Sequence, residues 1–136
     1  MKILIIDDEK FLVENLARYL QQRIPAKIHF VNQAEDAMEL VAKEEFDLII
    51  CDLKISDQSE GELILHITKK LPNQKFIVIS AQELPQNLSH EKKENIEAYF
   101  EKPFDIAEIE KTINSIYQRL EKHGTVEVRK EARKEI

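Results

Sequence analysis

Ile3-Leu4-Ile5-Ile6-Asp7-Asp8-Glu9 decides the fold: an unbroken apolar run that ends abruptly in three acids. A run with no period of two or 3.6 fits a strand covered on both faces, as in a parallel sheet between two layers of helices. The pattern returns along the chain. Leu48-Ile49-Ile50-Cys51 runs into Asp52, Phe76-Ile77-Val78-Ile79 into Ser80, and Ala98-Tyr99-Phe100 leads to Lys102-Pro103. If these strands lie parallel, their C-terminal ends share one edge, and three carboxylates, a hydroxyl and an ammonium meet there.

Between the strands lie helical stripes. The spacing predicts a strand over 2–7 and a helix over 9–23, with Leu12, Leu16 and Leu20 four apart beside Val13 and Ala17. Ile24-Pro25 ends that helix, because Pro cannot continue it. A strand over 27–31 precedes a helix over 34–44, striped by Ala34, Ala37, Met38, Val41 and Ala42. Then come a strand over 46–51, a helix over 61–70 stopped by Leu71-Pro72, and a strand over 75–80. The polar stretch 81–95 holds at most a short helix near 88–95. A strand over 97–101 leads to a last helix that opens on Asp105-Ile106-Ala107-Glu108, a capping box with Asp as the cap. Its stripe is Ile106, Ile109, Ile113, Ile116 and Leu120, and Lys122-His123-Gly124 forms its end. Such alternation implies an α/β fold with a parallel sheet and helices on both faces.

The 136 residues suit one domain with a real core, and 43% apolar with 34% charged residues read as globular. A net charge of −6 argues against broad electrostatic binding to nucleic acid or to an anionic membrane. A single cysteine makes no internal disulfide, and Cys51 reads as a small buried side chain. Lys2 and four apolar residues begin like a signal peptide, but Asp7 and Asp8 end the run too early. No apolar stretch is long enough to span a membrane, so the expected location is cytoplasmic. His29, His66, His90 and His123 are dispersed and read as surface or packing groups.

Open α/β sheets bind ligands beyond the carboxyl ends of their strands, where the strand order reverses. Carboxylates gathered there raise one another's pKa, and a divalent cation removes that cost. Every candidate ligand is oxygen, which suits Mg²⁺ better than zinc or copper. Lys102 could offset charge on a phosphate, Ser80 could donate to it, and a carboxylate is a competent nucleophile for phosphoryl transfer. Each residue also has a plain reading. A lone Asp after a strand is often a turn residue or helix cap. Glu9 reads as a first-turn helix charge, and Lys102 alone as a solvated surface lysine. The joint recurrence in one α/β alternation is what departs from chance.

With Asp7-Asp8, Asp52, Ser80-Ala81, Tyr99 and Lys102-Pro103-Phe104 in this order, residues 1–122 resemble a receiver domain of two-component response regulators. The resemblance implies a flavodoxin-like, doubly wound five-stranded sheet in the order 2-1-3-4-5. It implies that Asp52 is the phosphoacceptor and that Asp8, Asp52 and the backbone carbonyl of Lys54 bind Mg²⁺ directly, with Asp7 acting through water. Ser80 would be the switch hydroxyl, Tyr99 the aromatic that follows it, and Lys102 the partner of the phosphoryl group. Lys102-Pro103 would carry a cis bond. One stretch departs from the family pattern: Ser56 stands where a Pro is usual, and Gly61 comes one residue late. Lys54 and Gln82 hold positions that tune water's access to the acyl phosphate in that family.

The implied activity is acceptance of a phosphoryl group from a histidine kinase or histidine phosphotransfer protein. A surface of fourth helix, fifth strand and fifth helix would then switch toward a downstream protein or a second copy. The protein would catalyse only its own phosphorylation and dephosphorylation. Residues 123–136 form a charged tail, a helical extension or disordered, too short for a DNA-binding domain. The expectation is a stand-alone receiver; the alternative is a receiver cut from a longer regulator with a separate output domain. Two rivals fit less well. A haloacid-dehalogenase-like phosphatase uses Asp-x-Asp rather than adjacent acids. A flavodoxin-like cofactor binder needs a Gly/Ser/Thr-rich loop where Asp7-Asp8-Glu9 would repel phosphate.

Overall fold

The computed structural model describes residues 1–55, 58–81 and 95–122. Five strands, β1 (Lys2–Ile6), β2 (Lys27–Val31), β3 (Leu48–Asp52), β4 (Phe76–Ser80) and β5 (Ile96–Glu101), form one parallel sheet in the order β2-β1-β3-β4-β5. Between them run α1 (Lys10–Arg23), α2 (Ala34–Lys43) and α3 (Glu62–Lys70), and the last helix is Ile106–Lys122. This is the flavodoxin-like architecture and strand order expected above.

The apolar runs are unbroken because both faces of the sheet are covered. Ile3, Ile5, Leu48, Ile50, Ile77 and Ile79 turn to one side, against Val13, Leu16 and Leu20 of α1 and Ile109, Ile113 and Ile116 of the last helix. Leu4, Ile6, Ile49, Cys51, Phe76 and Val78 turn to the other, against Ala37 and Val41 of α2 and Leu63, Ile64 and Ile67 of α3. Successive strand residues therefore feed two cores. Fully burying each of the Val, Leu, Ile and Phe side chains among these is worth about 1.5–3 kcal/mol, which is what orders the sheet.

Local chemistry sets the ends. Asp105 Oδ1 accepts a bond from the Ala107 N–H at 2.9 Å, so Asp105 caps the last helix as expected. Gly61 precedes α3 with φ 78°, a left-handed conformation that costs glycine nothing. β3 begins two residues later than the apolar pattern suggested. Phe46 is buried outside the strand, and Asp47 Oδ2 accepts the Lys2 N–H at 2.8 Å. Ala42, counted in the α2 stripe, is exposed. The short helix expected near 88–95 and the tail at 123–136 lie outside the described residues, as do Ser56, Asp57 and Gln82.

A candidate acidic phosphoryl-acceptor site

The sheet order reverses between β1 and β3, and the register brings their ends level. Ile6 pairs with Cys51, so Asp7 and Asp52 are the next residues along. Asp52 in turn pairs with Ile79, which puts Ser80 one step beyond it on β4. Ser80 pairs with Glu101, and Lys102 follows directly on β5. The expected residues are thus brought to one edge by register alone.

Strands lie about 4.8 Å apart, so β5 and β3 are separated by roughly 10 Å. Only a long side chain spans that gap, and Lys102 does. Its ammonium lies 2.8 Å from Asp7 Oδ2, 2.9 Å from Glu9 Oε1 and 3.0 Å from Asp52 Oδ2. Asp52 Oδ1 accepts the Lys54 backbone N–H at 3.2 Å, and Asp7 Oδ1 accepts that of Glu9 at 2.8 Å. The Lys102 N–H donates to the Ser80 carbonyl at 2.7 Å, tying the ends of β4 and β5 together. The Lys102-Pro103 bond is cis, as expected.

Asp7, Asp52 and Ser80 are buried, and Asp8 is exposed. Carboxylate oxygens of Asp7, Asp8 and Asp52 lie within 4.8 Å of one another. Burial pushes Asp7 up from 3.8 to about 6, although the Lys102 ammonium and the Glu9 N–H pull the other way; the Asp52 charge adds to the rise. Burial alone would lower Lys102, but its contacts with Asp7, Glu9 and Asp52 reverse the sign and raise it. The Asp7–Lys102 contact is close yet not aligned as a hydrogen bond, so Asp7 Oδ2 is buried without a hydrogen-bond donor among the described residues. A buried oxygen short of donors, beside two further carboxylates, fits a hard divalent cation.

Glu9 departs from its expected role. It stands just before α1 but makes no side-chain cap, and its carboxylate goes to Lys102 instead. Sequence reading missed this because the partner lies 93 residues away. Lys54 is exposed; its backbone N–H faces Asp52, and its ammonium donates to the Gln58 carbonyl at 2.7 Å. Tyr99, in β5, is half-buried and packs on the core shared with α2 and α3. Cys51 is fully buried, and burial pushes its thiol far up, so it is inert at this edge. A groove of about 480 Å³ lined by Glu9, Leu12, Asn15, Ala81, Lys102 and Phe104, among others, lies beside the site on the Glu9–Lys102 side.

Comparison with known proteins agrees with this geometry. Residues 3–114 match the model of the response regulator receiver domain. The sensory transduction protein LytT of Bacillus anthracis is 29% identical over 134 residues, 96% of this chain but 52% of LytT. The chain therefore spans about half the length of that relative. The chemotaxis protein CheY-3 of Vibrio cholerae is 25% identical, with 88% of this chain and 94% of CheY-3 covered. Among solved structures, the response regulator TrrA of Thermotoga maritima, in complex with Mg²⁺-BeF, superposes with a TM-score of 0.70 at 25% identity, covering 85% of this chain and 97% of TrrA. A CheY-like receiver domain protein of Methanospirillum hungatei gives 0.74 at 23%, covering 90% and 97%. Sheet order, strand-end residues and the family match converge: the chain belongs to the response regulator receiver domain family.

Proposed function

We propose that Asp52 is the phosphoacceptor of a Mg²⁺-dependent switch. The observation that carries the reading is the setting of its carboxylate. It lies at the sheet's reversal point, 3.0 Å from the Lys102 ammonium, with oxygens of Asp7 and Asp8 close by. Mg²⁺ would be held by Asp8, Asp52 and the Lys54 carbonyl, with Asp7 acting through water, and would neutralise oxygens of the incoming phosphoryl group. That TrrA was solved in complex with Mg²⁺-BeF supports a Mg²⁺ site in this fold, and the Asp7-Asp8-Asp52 cluster is where this chain offers one.

In the reaction, an Asp52 oxygen forms a bond to phosphorus as the P–N bond of a donor phosphohistidine breaks. The imidazole leaves and takes up a proton, and Asp52 becomes an acyl phosphate. Lys102 keeps its charge, because its pKa is raised, and shifts from carboxylate toward phosphoryl oxygen. Ser80 donates its hydroxyl to the new dianion, and Tyr99 follows into the space that movement opens. The result biases an existing equilibrium of the surface around β5 and the last helix. Beyond its own phosphorylation and dephosphorylation it turns over no substrate.

The donor is a histidine kinase or histidine phosphotransfer protein, and the readout is contact with a downstream protein or a second copy, in the cytoplasm. No helix among the described residues is long and apolar enough to cross a membrane. The chain covers 94% of CheY-3 and 52% of LytT, and the same switch chemistry serves a stand-alone receiver or one joined to a separate output domain. The test is acetyl phosphate with Mg²⁺ followed by intact mass. Wild type should gain one phosphoryl group and Asp52→Asn none; equal labelling of both, or none in wild type, defeats the proposal.

A further inference from the structure

Glu9 stands at the N-cap position of α1 with extended backbone angles, φ −81° and ψ 97°, yet its side chain caps nothing. A capping carboxylate there would stabilise the helix through the free N–H groups of its first turn. The side chain gives up that role and reaches Lys102 Nζ at 2.9 Å instead. Its own N–H is held by Asp7 Oδ1 at 2.8 Å, which fixes where the carboxylate starts from.

An ammonium has three donors. Lys102 donates to Glu9 at 2.9 Å and to Asp52 at 3.0 Å, and is paired in charge with Asp7 at 2.8 Å. Two of these partners belong to the carboxylate cluster that can hold a metal ion; Glu9 does not. A divalent cation entering the cluster competes with Lys102 for Asp7 and Asp52. Lys102 is only 12% exposed, so a displaced ammonium finds little water to replace them. Glu9, 60% exposed, offers a carboxylate at the rim that the cation does not need.

We infer that Glu9 is a positioning residue that retains the Lys102 ammonium while a divalent cation occupies the Asp7-Asp8-Asp52 cluster. It thereby strengthens cation binding and keeps the ammonium within reach of the phosphoryl group. The inference rests on the proposed function, and its test separates the two.

The full chain, ¹⁵N-labelled, is titrated with MgCl₂ at constant ionic strength while the amide shifts of Asp8, Asp52 and Lys54 are followed. Glu9→Gln should weaken Mg²⁺ binding roughly threefold to tenfold, the range of a partly exposed charge-assisted contact. Glu9→Asp keeps the charge but is one methylene short, and should weaken binding like Glu9→Gln. In a Lys102→Met background, Glu9→Gln should add nothing further. Saturable wild-type binding with Glu9→Asp equal to wild type overturns the inference alone, since Glu9 then acts only as diffuse charge. Weakening by Glu9→Gln that persists without Lys102 also overturns it. No saturable shift in wild type overturns both the inference and the function beneath it.

Discussion

Asp7 carries a cost in the cation-free protein. Its carboxyl is buried and titrates near 6 rather than 3.8. A folded-state pKa above the unfolded value means that the folded protein binds the proton more tightly. The associated stability is present below about pH 4 and is lost as pH rises to about 6, a total of about 3 kcal/mol at 1.36 kcal/mol per unit. Asp7→Asn removes that slope. At pH 7.5 without Mg²⁺ it should stabilise the fold by about 1–3 kcal/mol, the lower end because Lys102 loses one carboxylate partner. Urea midpoints of the two proteins from pH 4 to 7.5 check this: their difference should grow with pH and level off above about 6.5. Most site residues were legible because acids and Lys-Pro interrupt apolar runs at strand ends. Glu9 was not, since an acid before a helix has an ordinary local explanation and its real partner is distant in sequence.

At the level of elements, the last helix shows how periodicity is read and where it stops. Ile109, Ile113 and Ile116 were legible as a stripe and are all buried. Tyr117 is buried beside them but was passed over, because a tyrosine can lie on either face. Ile113 is 1% exposed at the centre of this contact, so Ile113→Ala should cost about 2–5 kcal/mol by urea denaturation. Lys111→Ala, on the exposed side, should stay within about 0.5 kcal/mol. The start of β3 was misplaced for a related reason. Phe46 stands one residue before the apolar run, across Asp47, but its burial comes from a loop position, with His29 edge-on to its ring at 5.5 Å. Apolarity reports burial; it does not report strand pairing.

Across the whole molecule, one sheet serves two cores, and β1, β3 and β4 contribute to both. Losing one layer of helices strips the strands that the other needs. Unfolding should therefore be a single transition, with far-ultraviolet circular dichroism and tyrosine fluorescence coincident in urea. Mg²⁺ at ten times its Kd should raise stability by about 1.4 kcal/mol, and Asp52→Asn should lose most of that gain. Alternating segments disclosed this architecture, since continuous apolar strands only make sense between two layers. Strand order was not written in the periodicity; it came with the family resemblance.

The backbone bond from Lys102 N–H to the Ser80 carbonyl, 2.7 Å long, has a mechanical meaning. It joins the mounts of the hydroxyl and the ammonium through main-chain atoms, which no replacement at either position short of a proline at 102 removes. The bore of the mouth on that side is set like a caliper with its screw tightened. Changing Ser80 or Lys102 alters what fills the opening, while its gauge stays the same.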